Sequence, residues 1–137
     1  MIIREKTREV AATPEAVARI LTKILNGEHE FDRDKEHFWT IGVDVKNRIQ
    51  YIDLVSLGGL SAAIVHVREV FRMAVHRAVA SIIVVHNHPS GDTTPSRDDI
   101  ATSRKIKDSG ELLGIKVLDS VIITADGNFT SIYKQIE

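Results

Sequence analysis

The residues with the most chemistry to offer lie close together in the stretch Val84-Val85-His86-Asn87-His88-Pro89-Ser90-Gly91-Asp92-Thr93-Thr94-Pro95-Ser96-Arg97-Asp98-Asp99. An apolar run, Ser81 to Val85, delivers two histidines at spacing two. Alternate residues of a strand face the same side, so His86 and His88 can aim both imidazoles at one point just past the strand end. A loop rich in Pro and Gly follows, and Ser96 and Asp99 open what reads as a helix. The loop can bring the Asp99 carboxylate back to that same point. Neutral imidazole is the commonest side-chain metal ligand. Two imidazoles and one carboxylate, with room for a water, make a catalytic zinc site rather than a closed structural one. Zinc held in this way lowers the pKa of a coordinated water to about 7, which is the chemistry of a metal-dependent hydrolase.

Ser96 and Asp99 also have a plain structural role. Ser-x-x-acid at a helix start is a capping arrangement, in which the Ser hydroxyl accepts from a first-turn amide and the acid reaches back. The two roles are compatible. The partly positive helix N-terminus keeps Asp99 anionic, and Ser96 Oγ can face a metal-bound water or a developing oxyanion. A general base is then required near the water. Asp92 and Asp98 sit on the loop and helix start. The remote candidates are Glu36, which opens an apolar strand, and Glu69, which lies in the first turn of a helix, where an acid balances the helix dipole. Sequence favours Glu36 slightly and leaves both open.

Composition narrows the classes. The chain has 137 residues, a net charge of −1 and no cysteine. One domain with a real core follows from the length. Disulfides, thiolate catalysis and cysteine zinc sites are excluded, so any metal must be held by nitrogen and oxygen. The near-neutral charge argues against a whole-surface attraction to nucleic acid but leaves a local patch open. The longest apolar run, Ala78 to Val85, is interrupted by Ser81 and is too short to span a bilayer. The N-terminus carries Arg4, Glu5, Lys6, Arg8 and Glu9 and lacks an apolar signal core, so the expectation is a cytoplasmic protein with no membrane partner. There is no HExxH, P-loop or GxGxxG, and the deaminase signature needs cysteines. Ser90 stands in His-Pro-Ser-Gly rather than in a G-x-S-x-G elbow. His29, His37, His66 and His76 share no ligand spacing and read as surface or packing residues.

The elements that must position these residues follow from patterning. Met1 to Ala12 reads as an edge strand or arm. Thr13-Pro14-Glu15 starts a helix that Gly27 ends, with Val17, Ile20, Leu21, Ile24 and Leu25 at helical spacing. Glu28 to Lys35 reads as a charged loop. Glu36 to Val45 and Arg48 to Leu57 form a hairpin about Lys46-Asn47, ended by Gly58-Gly59, and Ser61 to Val65 is ambiguous. Val67 to Val79 fits a helix with Val67, Val70, Phe71, Ala74, Val75 and Ala78 on one stripe. Ser81 to Val85 suits a strand buried on both faces. Ser96 to Leu113 is a helix closed by Gly114. Lys116 to Thr124 and Phe129 to Tyr133 pair about Ala125-Asp126-Gly127. The order implies an α/β or α+β fold in a single layered domain.

His86-x-His88, seven further residues, then Ser96-x-x-Asp99 resembles the JAMM motif of the JAB/MPN metalloprotease domain. The fuller His-Asn-His-Pro-Ser-Gly-Asp-x-x-Pro-Ser string, with Leu112-Leu113-Gly114-Ile115-Lys116-Val117-Leu118-Asp119 downstream, resembles the RadC family within it. The likeness runs from about Glu36 to Tyr133. It implies a curved, mixed β-sheet flanked by helices, similar in layout to cytidine deaminases. It implies one zinc ion on His86, His88 and Asp99, and an oxyanion contact from Ser96. The family's catalytic glutamate precedes x-Phe at the start of an early strand, which Glu36-His37-Phe38 matches, so the resemblance prefers Glu36 to Glu69. It implies hydrolysis of peptide or isopeptide bonds in a protein substrate. Longer RadC-like chains carry an upstream helix-hairpin-helix segment. The expectation here is a single domain, residues 1–137, without it, which weakens the DNA-repair role behind the family name. Two alternatives stand beside the hydrolase: a DNA-processing accessory using Arg97, Arg104, Lys105 and Lys107, and a non-catalytic scaffold working through protein contacts. Substrate, native divalent ion and oligomeric state are left open.

Overall fold

The computed structural model describes residues 1–58 and 65–136. The chain runs β1 (Ile2–Glu5), α1 (Pro14–Asn26), α2 (Glu30–Arg33), β2 (His37–Val43), β3 (Ile49–Leu57), α3 (Val67–Arg77), β4 (Ser81–Asn87), α4 (Arg97–Leu113), β5 (Lys116–Ile123), β6 (Phe129–Ser131) and α5 (Ile132–Ile136). Among the described residues the strands form one six-stranded sheet in the order β1-β3-β2-β4-β5-β6. β4 and β5 are parallel and the other neighbours antiparallel. The sheet is therefore mixed and open, with helices against it, as α+β patterning and a JAB/MPN layout require.

The two central strands read as continuous apolar runs because both of their faces are covered. Every residue of β2 is buried, and every residue of β4 after Ser81. Alternation divides the core. Trp39, Ile41, Val43, Ile83 and Val85 pack with Val17, Ile20, Leu21 and Leu25 of α1. Phe38, Ile82 and Val84 pack on the opposite face with Val70, Phe71 and Ala74 of α3 and Ile106 of α4. Full burial of one such aliphatic side chain contributes about 1.5–3 kcal/mol, so these rows fix which face each strand residue takes. Gly42 is required by packing: a Cβ there would sit 2.0 Å from the Tyr51 ring.

Helix boundaries follow local chemistry. Thr13 Oγ1 accepts from Ala16 N–H at 3.1 Å and Pro14 enters in the first turn. Gly114, at φ 75°, closes α4 while Ile115 N–H bonds Gly110 O at 2.9 Å. Asn47 takes φ 60° in the β2–β3 turn. Three expectations need correction. The charged stretch 28–35 contains the single turn α2, begun by His29 Nδ1 accepting from Phe31 N–H at 3.3 Å. The last strand stops at Ser131, because Ile132 and Tyr133 turn into α5 and are buried there. The α3 stripe excludes Val75, which is 61% exposed, and Ala78, which is exposed and caps the helix at φ 52°. Gly58, at φ 125°, lies just past β3, while Gly59 and the ambiguous 61–64 lie outside the described residues. No helix among the described residues is long and apolar enough to cross a membrane.

Topology positions the site. Because β2 is antiparallel to β4, with Phe38 opposite His86, the start of β2 lies beside the end of β4. α4 connects the parallel β4 and β5, so its N-terminus opens at that same edge, the usual place for ligands in a βαβ crossover.

Candidate metal centre

Ile82, Val84, His86 and His88 fall on one face by strand alternation, so the apolar row packed against α3 and α4 ends in two imidazoles. His86 is 8% exposed and its ring stacks on Phe38 at 6.1 Å. His88 lies one residue beyond β4, where its N–H extends the ladder to Ile123 O at 3.0 Å. The two rings are 5.1 Å apart. The loop then doubles back. Gly91 takes φ 88° and its N–H bonds His88 O at 3.1 Å. Asp92 Oδ1 accepts from Thr94 N–H and Oγ1. Asp92 O accepts from His88 Nδ1 at 2.7 Å. That bond places the proton of a neutral His88 on Nδ1 and leaves Nε2 as the ligand atom.

The Asp99 carboxylate arrives through the cap. Asp99 N–H bonds Ser96 Oγ at 3.0 Å, and Ser96 N–H bonds Asp99 Oδ2 at 2.8 Å, a complete capping box. The box turns Asp99 toward the histidines: Oδ2 lies 3.1 Å from His88 Nε2 and Oδ1 lies 3.2 Å from His86 Nε2. Burial raises the Asp99 pKa, but the two imidazoles and the Ser96 N–H outweigh it and hold the carboxyl well below the usual range. The Asp99 bond raises the His88 pKa against burial, helped by the Asp92 carbonyl and by the charges of Asp99 and Glu36.

These residues fit a metal ion. One ligand atom from each of His86, His88 and Asp99 lies within 4.8 Å of the others. Neighbouring ligands of a tetrahedral zinc at bond lengths of about 2.0 Å stand about 3.3 Å apart, close to the 3.1 and 3.2 Å contacts here. His86 is the sharper test. Neither of its buried ring nitrogens has a hydrogen-bond partner among the described residues. The Nε2 contact with Asp99 has ion-pair distance without hydrogen-bond alignment. An unsatisfied buried polar group costs about 1–3 kcal/mol, and a cation at the convergence point would remove the penalty at Nε2. The donor set, two nitrogens and an oxygen, suits zinc and other divalent first-row ions.

His86, His88 and Asp99 line a cavity of about 410 Å³, with Glu36, Phe38, Val65, Ser96, Asp98 and Thr102 among its other walls. Glu36 precedes β2 and shares the face of Phe38 by alternation, so the sheet brings a carboxylate from the far hairpin to the histidines. Glu69 is absent from these walls and pairs with Arg72 at 3.7 Å on α3. Ser96 reaches the cavity while serving as the cap. Asp92 faces its own loop. Of the basic cluster, Arg97, Arg104 and Lys105 are exposed, and Lys107 lies over the Tyr133 ring at 5.1 Å.

Sequence reasoning missed Asn87, and of its two readings of His37, surface or packing, the structure shows packing. Asn87 is 2% exposed and His37 wholly buried. His37 stacks on Trp39 at 4.9 Å and its Nε2 lies 2.5 Å from Glu28 Oε2. An amide set between two ligand histidines was the available signal for Asn87. His37, next to the candidate base, offered none in its spacing.

A six-stranded mixed sheet that presents two imidazoles and a helix-cap carboxylate at the end of its central strand defines a JAB-type domain with a candidate metal centre. A family profile for the RadC-like JAB domain matches residues 11–136. UPF0758 proteins are similar over much of the chain. That of Desulforamulus reducens is 42% identical over 127 residues, covering 93% of this chain and 53% of its own length. That of Geotalea uraniireducens is 55% identical over 104 residues, 75% of this chain and 45% of its own length. That of Methanosarcina mazei is 50% identical over 101 residues, 74% and 44%. The chain belongs to the RadC-like JAB domain family, and spans about half the length of the curated relatives it matches.

Proposed function

We propose that this domain is a zinc-dependent hydrolase of amide bonds, acting on a peptide or isopeptide linkage. The observation that carries the reading is the convergence of His86, His88 and Asp99 in a cavity that Glu36 also lines. A divalent cation on the three ligands would acidify water and polarise a carbonyl. The chain's own groups supply the rest. Glu36 accepts a proton from the attacking water, whose oxygen bonds the carbonyl carbon, and returns that proton to the departing amine nitrogen as the C–N bond breaks. Ser96 Oγ accepts from Asp99 N–H and donates its own proton toward the developing oxyanion. The Asp92 carbonyl holds His88 in the ligating tautomer. Phe38 and Val65 exclude water from one wall.

Charge favours an amide over a phosphodiester. The walls carry Glu36, Asp98 and Asp99 and, among the described residues, no Lys or Arg. A phosphate would meet carboxylates there. The test is hydrolysis by zinc-loaded protein of fluorogenic probes carrying a peptide bond or a Lys Nζ isopeptide bond. Turnover that falls by roughly 10²-fold or more in Glu36→Gln, with zinc retained, is expected for loss of a general base. No cleavage of either probe by the fully loaded protein would overturn the assignment.

A further inference from the structure

The alternation that turns His86 and His88 toward the cavity turns Asn87 to the opposite side of the sheet. Its carboxamide is buried and hydrogen-bonded at both ends. Oδ1 accepts from His37 N–H at 2.6 Å, and Nδ2 donates to Lys35 O at 3.0 Å. The last backbone pair between β2 and β4 is Phe38 with His86, so the Asn87 side chain stands where the next ladder pair would fall. It offers a donor and an acceptor, as a peptide group does. The two residues it grips flank Glu36. His37 Nδ1 also bonds Lys35 O at 2.7 Å, and Gly58 N–H bonds Glu36 O at 2.9 Å.

Glu36 precedes the regular strand, so its side-chain direction depends on backbone that β2 does not itself hold. We propose that Asn87 is a positioning residue that fixes the Glu36 carboxylate over the metal-ligand set. The end of β4 and the residue after it thus carry two histidines on one face and, between them, the clamp for the base on the other. The proposal rests on Glu36 being the proton acceptor. Its importance follows from the demands of catalysis, where a misplacement of about 1 Å can cost about a hundredfold.

The test uses acetohydroxamic acid on zinc-loaded protein, with affinity measured by calorimetry. A hydroxamic acid gives up its hydroxyl proton on chelation, and a well-placed carboxylate accepts it. Glu36→Ala should weaken binding roughly tenfold or more, the effect of losing one charge-assisted hydrogen bond. Asn87→Ala should weaken it comparably while keeping the wild-type zinc content. The double variant should bind no more weakly than Glu36→Ala, because Asn87 acts through Glu36. Wild-type affinity in Asn87→Ala, multiplied effects in the double variant, or loss of zinc would each overturn the positioning role. An unchanged Glu36→Ala would instead overturn the proton-acceptor reading, and the positioning role with it. If circular dichroism shows Asn87→Ala unfolded, Asn87→Asp replaces it. That variant keeps the acceptor for His37 N–H, removes the donor to Lys35 O, and should show the same non-additive loss.

Discussion

Replacing His86 with leucine should make the metal-free protein more stable and the zinc-loaded protein less so. In the absence of an ion, His86 holds two buried nitrogens without hydrogen-bond partners among the described residues. Leucine has similar bulk, continues the Ile82 and Val84 row, and faces Phe38. Removing the unsatisfied group should gain about 1–3 kcal/mol. The largely buried contact with Asp99 at 3.2 Å is lost, but Asp99 keeps His88 Nε2 and Ser96 N–H as partners, so the cost is that of one modest polar contact, about 1 kcal/mol. The net is about 1 kcal/mol, or about 4 °C in Tm for a domain of this size. Zinc reverses the order. With free zinc about a hundredfold above Kd, a three-ligand site stabilises the fold by about 2.7 kcal/mol, or about 10 °C, and His86→Leu should gain almost none of it. Thermal melts of both proteins, in chelator and in excess zinc, give four values whose ranking crosses. A variant melting well below wild type in chelator would show that the imidazole has a packing role. An equal zinc shift in both proteins would show that His86 is not a ligand.

Zinc affinity should fall as pH is lowered, because a proton must leave His88 before Nε2 can bind an ion. Its pKa is raised by Asp99 and the Asp92 carbonyl, so the fall should begin above the ordinary histidine value of about 6.5. Competition with a chromogenic chelator across this range checks it, and a flat profile would contradict the pairing. Gly42→Ala should destabilise the fold by about 1–3 kcal/mol or more, since the added Cβ would lie 2.0 Å from the buried Tyr51 ring. Urea unfolding reads this directly, and a neutral substitution would show that Tyr51 can move.

The convergence of His86, His88 and Asp99 was legible because its parts are local. Strand alternation pairs His86 with His88, and the capping box that orients Asp99 is a four-residue pattern. The Glu36 choice was not local. It depends on antiparallel β2–β4 pairing, which sets Phe38 against His86, and on contacts as distant in sequence as His37 N–H with Asn87 Oδ1, 50 residues apart. The resemblance supplied the preference that spacing could not. α2 has too few residues to show a period. Residues 132–133 are β-branched and aromatic, and so read as strand. There the Ser131 Oγ contact with Lys134 N–H at 3.3 Å and the burial of both side chains favour a helical turn. Val75 was placed on the core stripe by spacing alone, but the buried face of α3 is narrower, made by Val70, Phe71 and Ala74.

The most direct measurement is the metal content of purified protein, wild type beside His88→Ala, after equilibration with zinc and removal of the excess. A shared cation on His86, His88 and Asp99 predicts one ion per chain in the wild type and none in the variant. Negligible metal in both proteins, or equal metal in both, would contradict it.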